Sequence, residues 1–354
     1  MIDYIIVGYG IAGLTFASQL IKKKKDFIII DLPGTNSTYQ SGAVLNPTIL
    51  KRYTLSWKGT EFMKYAKEFY SEFEKKYNVK IFENFPIHRY FSTEQEQGFW
   101  IEASHFKSLE NYLEKEINKN CGDKILLKNG YGKLKNTAKL DPKVTLETFK
   151  LKLDKDKFIN DNFNHGKLKI YKNYVKYDNI ISKQIVFCEG IQMKNNIFFN
   201  YLPLSALKGE VLIIKAPKLS NKYIIKSSIY IIPIYNEVFW VGSTFYKNDD
   251  LSINKTREGY EFLISKLNRL ISVSYKVLEH NVGLRPAIID RRPLLGKHPV
   301  YKNLILFNGL GTRGIMMAPL LSKWLFDYVS YSKKLPAESS LNRFDSVYRS
   351  SVGI

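Results

Sequence analysis

The first 31 residues carry the pattern that most constrains the fold of this chain. An apolar, β-branched run at residues 4–7 predicts a buried parallel strand. The glycine spacing G-x-G-x-x-G follows at residues 8–13, and apolar residues then recur at helical spacing up to residue 20. A second buried strand is predicted at residues 26–31. This order of strand, glycine loop, helix and strand predicts an α/β fold that begins with a Rossmann-like unit.

Each part of this unit has a physical role in binding a dinucleotide. Gly8 permits a tight turn, Gly10 lets the backbone approach a pyrophosphate, and Gly13 lets the helix pack on the strand. The helix N-terminus offers free N–H groups and a dipole that favour the pyrophosphate anion. Asp31 ends the second strand, where it can accept hydrogen bonds from a ribose. These residues alone leave FAD and NAD open, and an aspartate at this position slightly disfavours FAD.

The same glycine spacing recurs near the C-terminal end, in NGLGTRGIMMAP at residues 308–319. It follows an apolar strand, residues 304–307, and opens an apolar helix predicted at residues 315–326. A polar tail comes next, so the second acid-tipped strand of a dinucleotide unit is missing. We therefore expect one dinucleotide site, with this second glycine loop serving another part of it.

Length and composition are those of an ordinary globular protein, with 354 residues, 45% of them hydrophobic and 25% charged. The chain is long enough for two domains, no apolar run reaches the length of a membrane span, and we expect no signal peptide. Cys121 and Cys188 are too few for a disulfide framework, which favours a cytoplasmic location. The five histidines lack metal-ligand spacing, so no metal site is predicted.

The formal net charge of +21 raises the question of a nucleic-acid partner. Only ten of the 54 basic residues are arginine, and the lysines are scattered along the chain. Base and phosphate recognition relies on the arginine fork as well as on lysine. A solvated, lysine-rich surface is therefore favoured over a dedicated nucleic-acid face, and an acidic or phosphorylated partner such as tRNA stays open.

Further segments beyond the first unit carry a specific family pattern. They are SGAVLNPTILKRYTLSW (41–57), QIVFCEG (184–190), LPLSALKGEVLII (202–214), YIIPIYNEVFWVGSTF (230–245), VGLRPAIIDRRPLLGKHP (282–299) and NLILFNGLGTRGIMMAPLLSKWL (303–325). Together with the N-terminal glycines they resemble the D-amino-acid oxidase and glycine oxidase family of FAD-dependent oxidoreductases, from residue 2 to about residue 328. The resemblance implies a mixed α/β chain in which a Rossmann-like FAD-binding domain joins a discontinuous, sheet-rich substrate domain. The implied ranges are 1–82, 101–204 and 281–354 for the FAD-binding domain, and 83–100 and 205–280 for the substrate domain.

The resemblance also implies which residues bind FAD. In such proteins the first glycine loop holds the pyrophosphate, a small-residue loop passes the flavin ring, a strand like QIVFCEG lies against the cofactor, and a second glycine loop faces the pyrimidine end of the flavin. The helix dipole at that second loop would stabilise negative charge on the ring. The implied cofactor-binding residues are Gly8, Gly10, Ile11, Ala12, Gly13, Asp31, Ser41, Ala43, Gly190, Gly309, Gly311, Thr312, Gly314 and Ile315.

Three residues are the implied catalytic candidates. Arg285, in G-L-R-P, matches the family arginine that pairs with a substrate carboxylate, a task suited to the guanidinium fork. The alternative for Arg285 is an ion pair that braces the two domains. Arg313 would lie near flavin and substrate, or face solvent in its loop. Tyr230 would line the substrate pocket, or pack as an ordinary sheet residue.

Other positions in the matching segments receive weaker expectations. Thr244 resembles part of the pocket wall, whereas Lys208-Gly209-Glu210 is expected to have a structural role where the chain enters the substrate domain. Since residues 281–354 contain no cysteine, we expect FAD to be bound without a covalent link. Helices are expected at residues 60–76 and 102–117, the latter with Ser104 as N-cap, and a hairpin or small sheet at residues 133–178.

The expected function is oxidation of the C–N bond of an amino acid or another carboxylate-bearing amine, with the flavin accepting a hydride. Three alternatives stay open: a related flavin enzyme that acts on a carboxymethylamino group of tRNA, a flavoprotein without turnover, and an NAD-dependent Rossmann enzyme. The sequence also leaves the electron acceptor open among oxygen, a quinone and another protein.

Overall fold

The structure is a computed structural model that describes residues 1–32, 34, 36–122, 124–247, 251–351 and 353. The helices of these residues are α1 Ile11–Lys22, α2 Gly59–Tyr77, α3 Glu94–Ser104, α4 Pro142–Lys152, α5 Arg257–Asn268, α6 Gly314–Tyr331 and α7 Asp345–Ser351. The strands are β1 Ile2–Val7, β2 Phe27–Asp31, β3 Val44–Leu45, β4 Thr48–Ile49, β5 Thr54–Leu55, β6 Phe82–Asn84, β7 Ile87–Tyr90, β8 Leu113–Asn118, β9 Tyr131–Leu134, β10 Ala138–Leu140, β11 Phe158–Asn160, β12 Leu168–Ile170, β13 Val175–Tyr177, β14 Ile180–Phe187, β15 Leu204–Lys215, β16 Ile224–Lys226, β17 Tyr230–Tyr235, β18 Val238–Gly242, β19 Tyr246–Lys247, β20 Lys276–Ile288, β21 Leu294–Lys297 and β22 Leu304–Asn308.

Two large sheets organise the molecule. The first has the order β11-β2-β1-β14-β13-β12, with β22 also paired to β14 and β21 to β22. Strands β11, β2, β1, β14 and β22 run parallel, as the N-terminal pattern predicts. The second sheet has the order β19-β15-β18-β17-β16-β7-β9-β8, with β20 also paired to β15. This arrangement confirms the predicted mixed α/β fold class.

The first sheet is covered on both faces, which explains its near-continuous apolar strands. One face packs against α1, α2 and α6 through buried side chains such as Leu14, Phe62 and Leu321. Alternate residues of the same strands, Ile5 and Phe187 among them, fill a core on the other face. The parallel strands β1, β2, β14 and β22 thus bring their carboxyl ends to one edge, where ligands bind in open α/β sheets.

One secondary-structure expectation is wrong, and one helix was not predicted. Residues 102–117 are not a helix capped by Ser104: α3 ends at Ser104, and Thr93 caps its start by accepting a hydrogen bond from the Glu96 N–H. The apolar spacing after Ser104 belongs to β8, which pairs with β9. Within residues 133–178 the hairpin β12–β13 is present, but α4 was missed although Asp141 caps it and Pro142 occupies its first turn.

Strand pairing bears on the expected domain ranges. Strands β8 and β9 pair in the second sheet, although they lie within the residues 101–204 assigned to the FAD-binding domain. Strand β20 is one continuous element that spans the expected boundary at residue 281. A local sequence pattern does not determine the domain to which a strand belongs, because paired strands are distant from each other along the chain.

Candidate active site

A cavity of about 950 Å³ lies between the carboxyl edge of the first sheet and one face of the second. This is near the upper end of the range of small-molecule sites, about 300–1,000 Å³. Most of the expected cofactor-binding and catalytic residues line this cavity. They are Gly8, Gly10, Ile11, Ala12, Asp31, Ser41, Ala43, Gly190, Tyr230, Arg285, Gly311, Thr312, Arg313, Gly314 and Ile315. Gly13 and Gly309 lie behind this surface, where close packing needs a glycine.

The first glycine loop is a tight junction between β1 and α1. Gly8 has φ +97°, and a Cβ there would lie 2.5 Å from the carbonyl oxygen of Cys188. A Cβ on Gly13 would collide with the carbonyl oxygen of Gly8. The first turn of α1 lies at the edge of the cavity, which Ile11 and Ala12 line, and the N–H groups of a first turn have no acceptor within the helix. The N–H of Ile11 donates to Thr38 Oγ1 at 3.1 Å, which leaves Ala12 and Gly13 as the remaining donors of that turn.

Asp31 stands at the end of β2 and lines the same cavity. Burial raises the pKa of this carboxyl to about 6, against the opposing effects of the Tyr9 backbone N–H and the Lys150 ammonium. Burial of an unpaired carboxylate costs free energy, and hydroxyl groups that donate hydrogen bonds to the carboxylate reduce this cost. Its position and chemistry therefore fit a ribose.

The loop at residues 36–43 closes one side of the cavity. Asn36 anchors it, because its Oδ1 accepts from the Thr38 N–H at 3.0 Å and its Nδ2 donates to the Tyr9 carbonyl at 3.2 Å. The Ser41 hydroxyl donates to the Thr38 carbonyl at 2.8 Å. Gly42 passes so close to the second sheet that a Cβ would lie 3.2 Å from Trp240. Small residues are thus required here by packing between the two sheets.

The second glycine loop leads from β22 into α6 and is tied to the end of β14. Asn308 Nδ2 donates to the Gly190 carbonyl at 2.8 Å, and its Oδ1 accepts from the Gly309 N–H at 2.8 Å. Gly309 and Gly311 have φ of +71° and +55°. Helix α6 begins at Gly314, whose added Cβ would lie 3.5 Å from Ile11. The two helix N-termini therefore meet at one end of the cavity.

Arg313 braces this loop against another segment instead of facing solvent. Its Nη1 donates to the Asn46 carbonyl and its Nη2 to the Thr48 carbonyl at 2.9 Å. Both acceptors are neutral, and burial lowers the pKa of the guanidinium. Tyr230 lies nearby: burial raises its pKa, while the Arg313 charge and the Asn46 side chain act in the other direction. The structure thus brings two of the catalytic candidates together.

Arg285 lies on β20 and lines the same cavity. It lies over Gly209, where a Cβ would be 2.6 Å from the guanidinium carbon. Nη2 donates to Ser243 Oγ at 2.6 Å, and the ring of Phe245 lies 5.9 Å from the guanidinium carbon. Nη1 is buried and has no hydrogen-bond partner in the described part of the chain. Among the described residues, the hydrogen-bond partner of the guanidinium is the neutral Ser243 hydroxyl, so the charge of Arg285 is available to an anion.

Lys208 and Glu210 flank Gly209 within strand β15. The buried Glu210 carboxylate accepts from Thr256 Oγ1 at 2.7 Å and lies 3.2 Å from Lys208 Nζ. Its pKa is lowered, because these donors outweigh the effect of burial. Thr244 does not line the cavity: its Oγ1 accepts from the Glu210 N–H at 2.8 Å, and Ser243 and Phe245 line the wall instead.

Sequence reasoning missed several residues that shape the site. Thr38, Asn308 and Ser243 orient a glycine loop or Arg285 through contacts between distant segments. Asn308 had a usable signal, since it is the last residue of a buried strand that enters a glycine loop. His165 also lines the cavity, with Nε2 2.7 Å from Glu189 Oε1. Among the described residues, no group of three His, Cys, Asp or Glu side chains has the arrangement of a metal site.

Comparisons with known proteins agree with this geometry. The family model described as DAO, FAD dependent oxidoreductase, matches residues 3–328. The tRNA 5-methylaminomethyl-2-thiouridine biosynthesis bifunctional protein MnmC of Legionella pneumophila (strain Corby) is 23% identical over 370 residues, which cover 91% of this chain and 53% of that protein. The chain therefore spans about half the length of the curated relatives that it matches first.

Solved structures show the same fold at low identity. Glycine oxidase from Geobacillus kaustophilus superposes with a TM-score of 0.80 at 15% identity, covering 96% of each chain. Iminodiacetate oxidase (IdaA) from Chelativorans sp. BNC1 gives a TM-score of 0.78 at 16% identity, covering 97% of this chain and 98% of that one. Within the described residues, every helix is too short or too polar to cross a bilayer.

Proposed function

This chain belongs to the DAO family of FAD-dependent oxidoreductases, and from that premise we propose that it oxidises the C–N bond of an amino acid or another carboxylate-bearing amine. The observation that carries the proposal is Arg285, whose buried Nη1 has no hydrogen-bond partner among the described residues and whose Nη2 donates to the Ser243 hydroxyl. A guanidinium in this state is suited to a bidentate carboxylate. Its place in the same cavity as the glycine loops would bring the substrate beside the cofactor.

The residues of the cavity fit FAD. The first turn of α1, with Ala12 and Gly13, would hold the pyrophosphate, and Asp31 would accept from the ribose. The loop with Ser41 and Ala43 would pass the flavin ring without a steric clash. Gly190 and the loop from Gly309 to Ile315 would face its other side, with the α6 N-terminus supplying partial positive charge.

Bound FAD supplies the acceptor for the hydride that leaves the substrate Cα, so the protein's task is orientation and electrostatics. Arg285 would fix the substrate carboxylate and thereby the position of the Cα–H bond. Tyr230 would line the pocket beside the substrate. Arg313 would hold the segment at residues 46–48 in place and keep a positive charge near Tyr230.

Anaerobic titration of the FAD-loaded protein with a panel of amino acids and N-substituted glycines tests this function. We expect bleaching of the flavin absorbance by at least one carboxylate-bearing amine, and little by the matching decarboxylated amine. Arg285→Ala should raise KM for that substrate by orders of magnitude, since the carboxylate loses its partner. Bleaching by none of the panel, or an unchanged KM in Arg285→Ala, would contradict the proposal.

The tRNA alternative rests on a separate observation. The relatives that match over 91% of the chain carry names in tRNA 5-methylaminomethyl-2-thiouridine biosynthesis, and the chain has a net charge of +21. A carboxymethylamino group on tRNA would offer Arg285 the same carboxylate. Binding of total tRNA that weakens steeply with salt, together with flavin bleaching by hypomodified tRNA, would favour it over a free amino acid.

Domain division and location are part of the proposal. The ranges 1–82, 101–204 and 281–354 would form the FAD-binding domain, and 83–100 and 205–280 the substrate domain, with β8 and β9 joining the sheet of the latter. We infer a cytoplasmic location from the low cysteine content, and Cys121 and Cys188 are both free thiols. Fractionation of cells that express the protein would test the location.

A further inference from the structure

We propose that the cavity contains an apolar subsite beside Arg285, formed by Phe245, Leu251 and Ile253 and held in place by Lys208 and Glu210, which binds an apolar substituent of the substrate. This inference rests on the proposed function and narrows it to carboxylate-bearing amines with an apolar side chain or N-substituent. Lys208 and Glu210 would be positioning residues, since they act on the apolar side chains through contacts with Thr244, Asn254 and Thr256.

The apolar side chains lie where a substrate bound to Arg285 would extend. All three line the cavity. Phe245 and Ile253 are 61% and 60% exposed, and the Phe245 ring lies 5.9 Å from the Arg285 guanidinium carbon. Large apolar side chains left exposed beside a cationic group favour a ligand with a carboxylate at one end and an apolar group next to it.

Lys208 and Glu210 contact residues that lie close to Phe245 and Ile253 in the chain, namely Thr244, Asn254 and Thr256. Next to Phe245, the Thr244 N–H donates to the Glu210 carbonyl at 3.1 Å, and Thr244 Oγ1 accepts from the Glu210 N–H at 2.8 Å. Thus the residue before Phe245 is fixed through the backbone of Glu210. The position of the Phe245 ring therefore depends on β15.

Near Ile253, the contacts are made by the side chains of Glu210 and Lys208. Its carboxylate accepts from the Thr256 N–H at 3.0 Å and from Thr256 Oγ1 at 2.7 Å, and Thr256 caps α5. Lys208 Nζ donates to the Asn254 carbonyl at 2.6 Å and lies 3.2 Å from Glu210 Oε1. Helix packing adds to this constraint, because a Cβ on Gly259 would lie 2.5 Å from the Glu210 carboxyl carbon.

The same short stretch also supports Arg285. Gly209, between the two positioning residues, is the residue over which the Arg285 guanidinium lies. Side chains alternate along β15, so Gly209 faces the cavity while Lys208 and Glu210 face away from it. One tripeptide thus sets the spacing between the carboxylate-binding group and the apolar side chains.

The test compares selectivity between glycine and racemic phenylalanine in the FAD-loaded protein. We expect the wild type to prefer phenylalanine, and Phe245→Ser to lower the ratio of the two kcat/KM values by about tenfold or more, because the loss for phenylalanine should exceed any loss for glycine. Tyr235→Ser is the matched control, since Tyr235 is 63% exposed on the same sheet and does not line the cavity.

Variants of the positioning residues separate this role from general stability. Glu210→Ala should lower the same ratio, whereas Glu210→Gln, which keeps an acceptor for Thr256, should restore much of it. If Glu210→Ala does not fold, Lys208→Met removes the contact with the Asn254 carbonyl and should shift the ratio in the same direction. Equal losses for both substrates, or a wild type that prefers glycine, would overturn the proposal. A change of oligomeric state in Phe245→Ser without a change in selectivity would also overturn it, because these side chains would then contact a second copy.

A binding measurement keeps this inference distinct from the proposed function. Phenylacetate should shift the melting temperature and the flavin spectrum at lower concentration than acetate, and Phe245→Ser should abolish that difference. Should no amine be oxidised while this difference is present, the reaction proposal fails and the subsite stands. If amines are oxidised and the two carboxylates show no difference, the subsite proposal fails and the reaction proposal stands.

Discussion

The guanidinium of Arg285 lies directly over Gly209 on the neighbouring strand, with an added Cβ only 2.6 Å from its central carbon. Strands β20 and β15 pair over twelve residues of β15, so the backbone at Gly209 cannot move away from the side chain without breaking the ladder. The guanidinium can therefore occupy this position because Gly209 has no side chain. This relationship gives the first prediction.

Gly209→Ala should displace the Arg285 guanidinium and weaken the binding of carboxylate-bearing substrates. The backbone of Gly209 is not left-handed, so the new methyl group acts by contact with the arginine and not by backbone strain. We expect KM to rise on the order of tenfold to a hundredfold with a smaller change in kcat, as for loss of uniform binding. Steady-state kinetics check this, with Gly98→Ala as the control, because a Cβ there meets no atom within 4 Å. Unchanged KM in Gly209→Ala would remove Arg285 from its role.

Local patterns predicted the parts of the fold that are encoded locally. The unit from β1 to β2, helix α2 and helix α6 lie where hydrophobic periodicity places them, because each buries one face against a continuous core. The mixed fold class and the family also follow from the sequence. Helix α3 was misplaced because the capping pattern at Thr93 was overlooked in favour of the apolar spacing after Ser104.

Contacts between distant segments could not be read from the sequence. Arg313 was identified by its place in a glycine loop, yet its partners, the carbonyls of Asn46 and Thr48, are more than 260 positions away. The orientation of Arg285 depends in the same way on Ser243 and Gly209. The sequence indicated which groups carry chemistry, whereas tertiary packing determines what each group touches.

Asp31→Asn should stabilise the FAD-free protein at neutral pH while weakening FAD binding. Burial raises the Asp31 pKa to about 6 from its ordinary value of 3.8, so between these values the folded state holds a proton that the unfolded state has lost. The free energy of unfolding of the FAD-free protein therefore falls as the pH rises through this window. Melting temperatures at pH 4 and pH 7.5 check this: the variant should gain stability over the parent at pH 7.5 and not at pH 4. A gain of equal size at both pH values would contradict the role of the carboxylate.

FAD should be released when the protein is precipitated with acid, because neither of the two cysteines is suited to form a covalent link. Residues 281–354 contain no cysteine, and Cys188, which lines the cavity, is buried. Burial raises the pKa of the Cys188 thiol well above its ordinary value, which keeps it as the unreactive thiol. Absorbance of the supernatant after precipitation checks this. Yellow colour that stays in the pellet, even after denaturation, would contradict it.

Lys226→Met should stabilise the protein, and more so at pH 6 than at pH 10. Lys226 lies on β16, where its strand partners are Arg89 and Tyr230, and its ammonium is 4.3 Å from the Tyr230 ring centre. Burial lowers its pKa to about 7 from 10.5; the Arg89 charge acts in the same direction and Glu96 opposes it.

Between pH 7 and 10.5 the unfolded state holds a proton on Lys226 that the folded state lacks. The contribution of Lys226 therefore makes the free energy of unfolding increase with pH across this range. Below pH 7 the burial of the charged ammonium lowers the free energy of unfolding by its full amount. Methionine has a similar length and no charge, so it removes the cost, which is on the order of a few kcal/mol at pH 6. Chemical denaturation at pH 6 and pH 10 checks the prediction, with the exposed Lys222→Met as control. A variant that is less stable than the parent at pH 6 would mean that the ammonium of Lys226 has a stabilising partner in the folded protein.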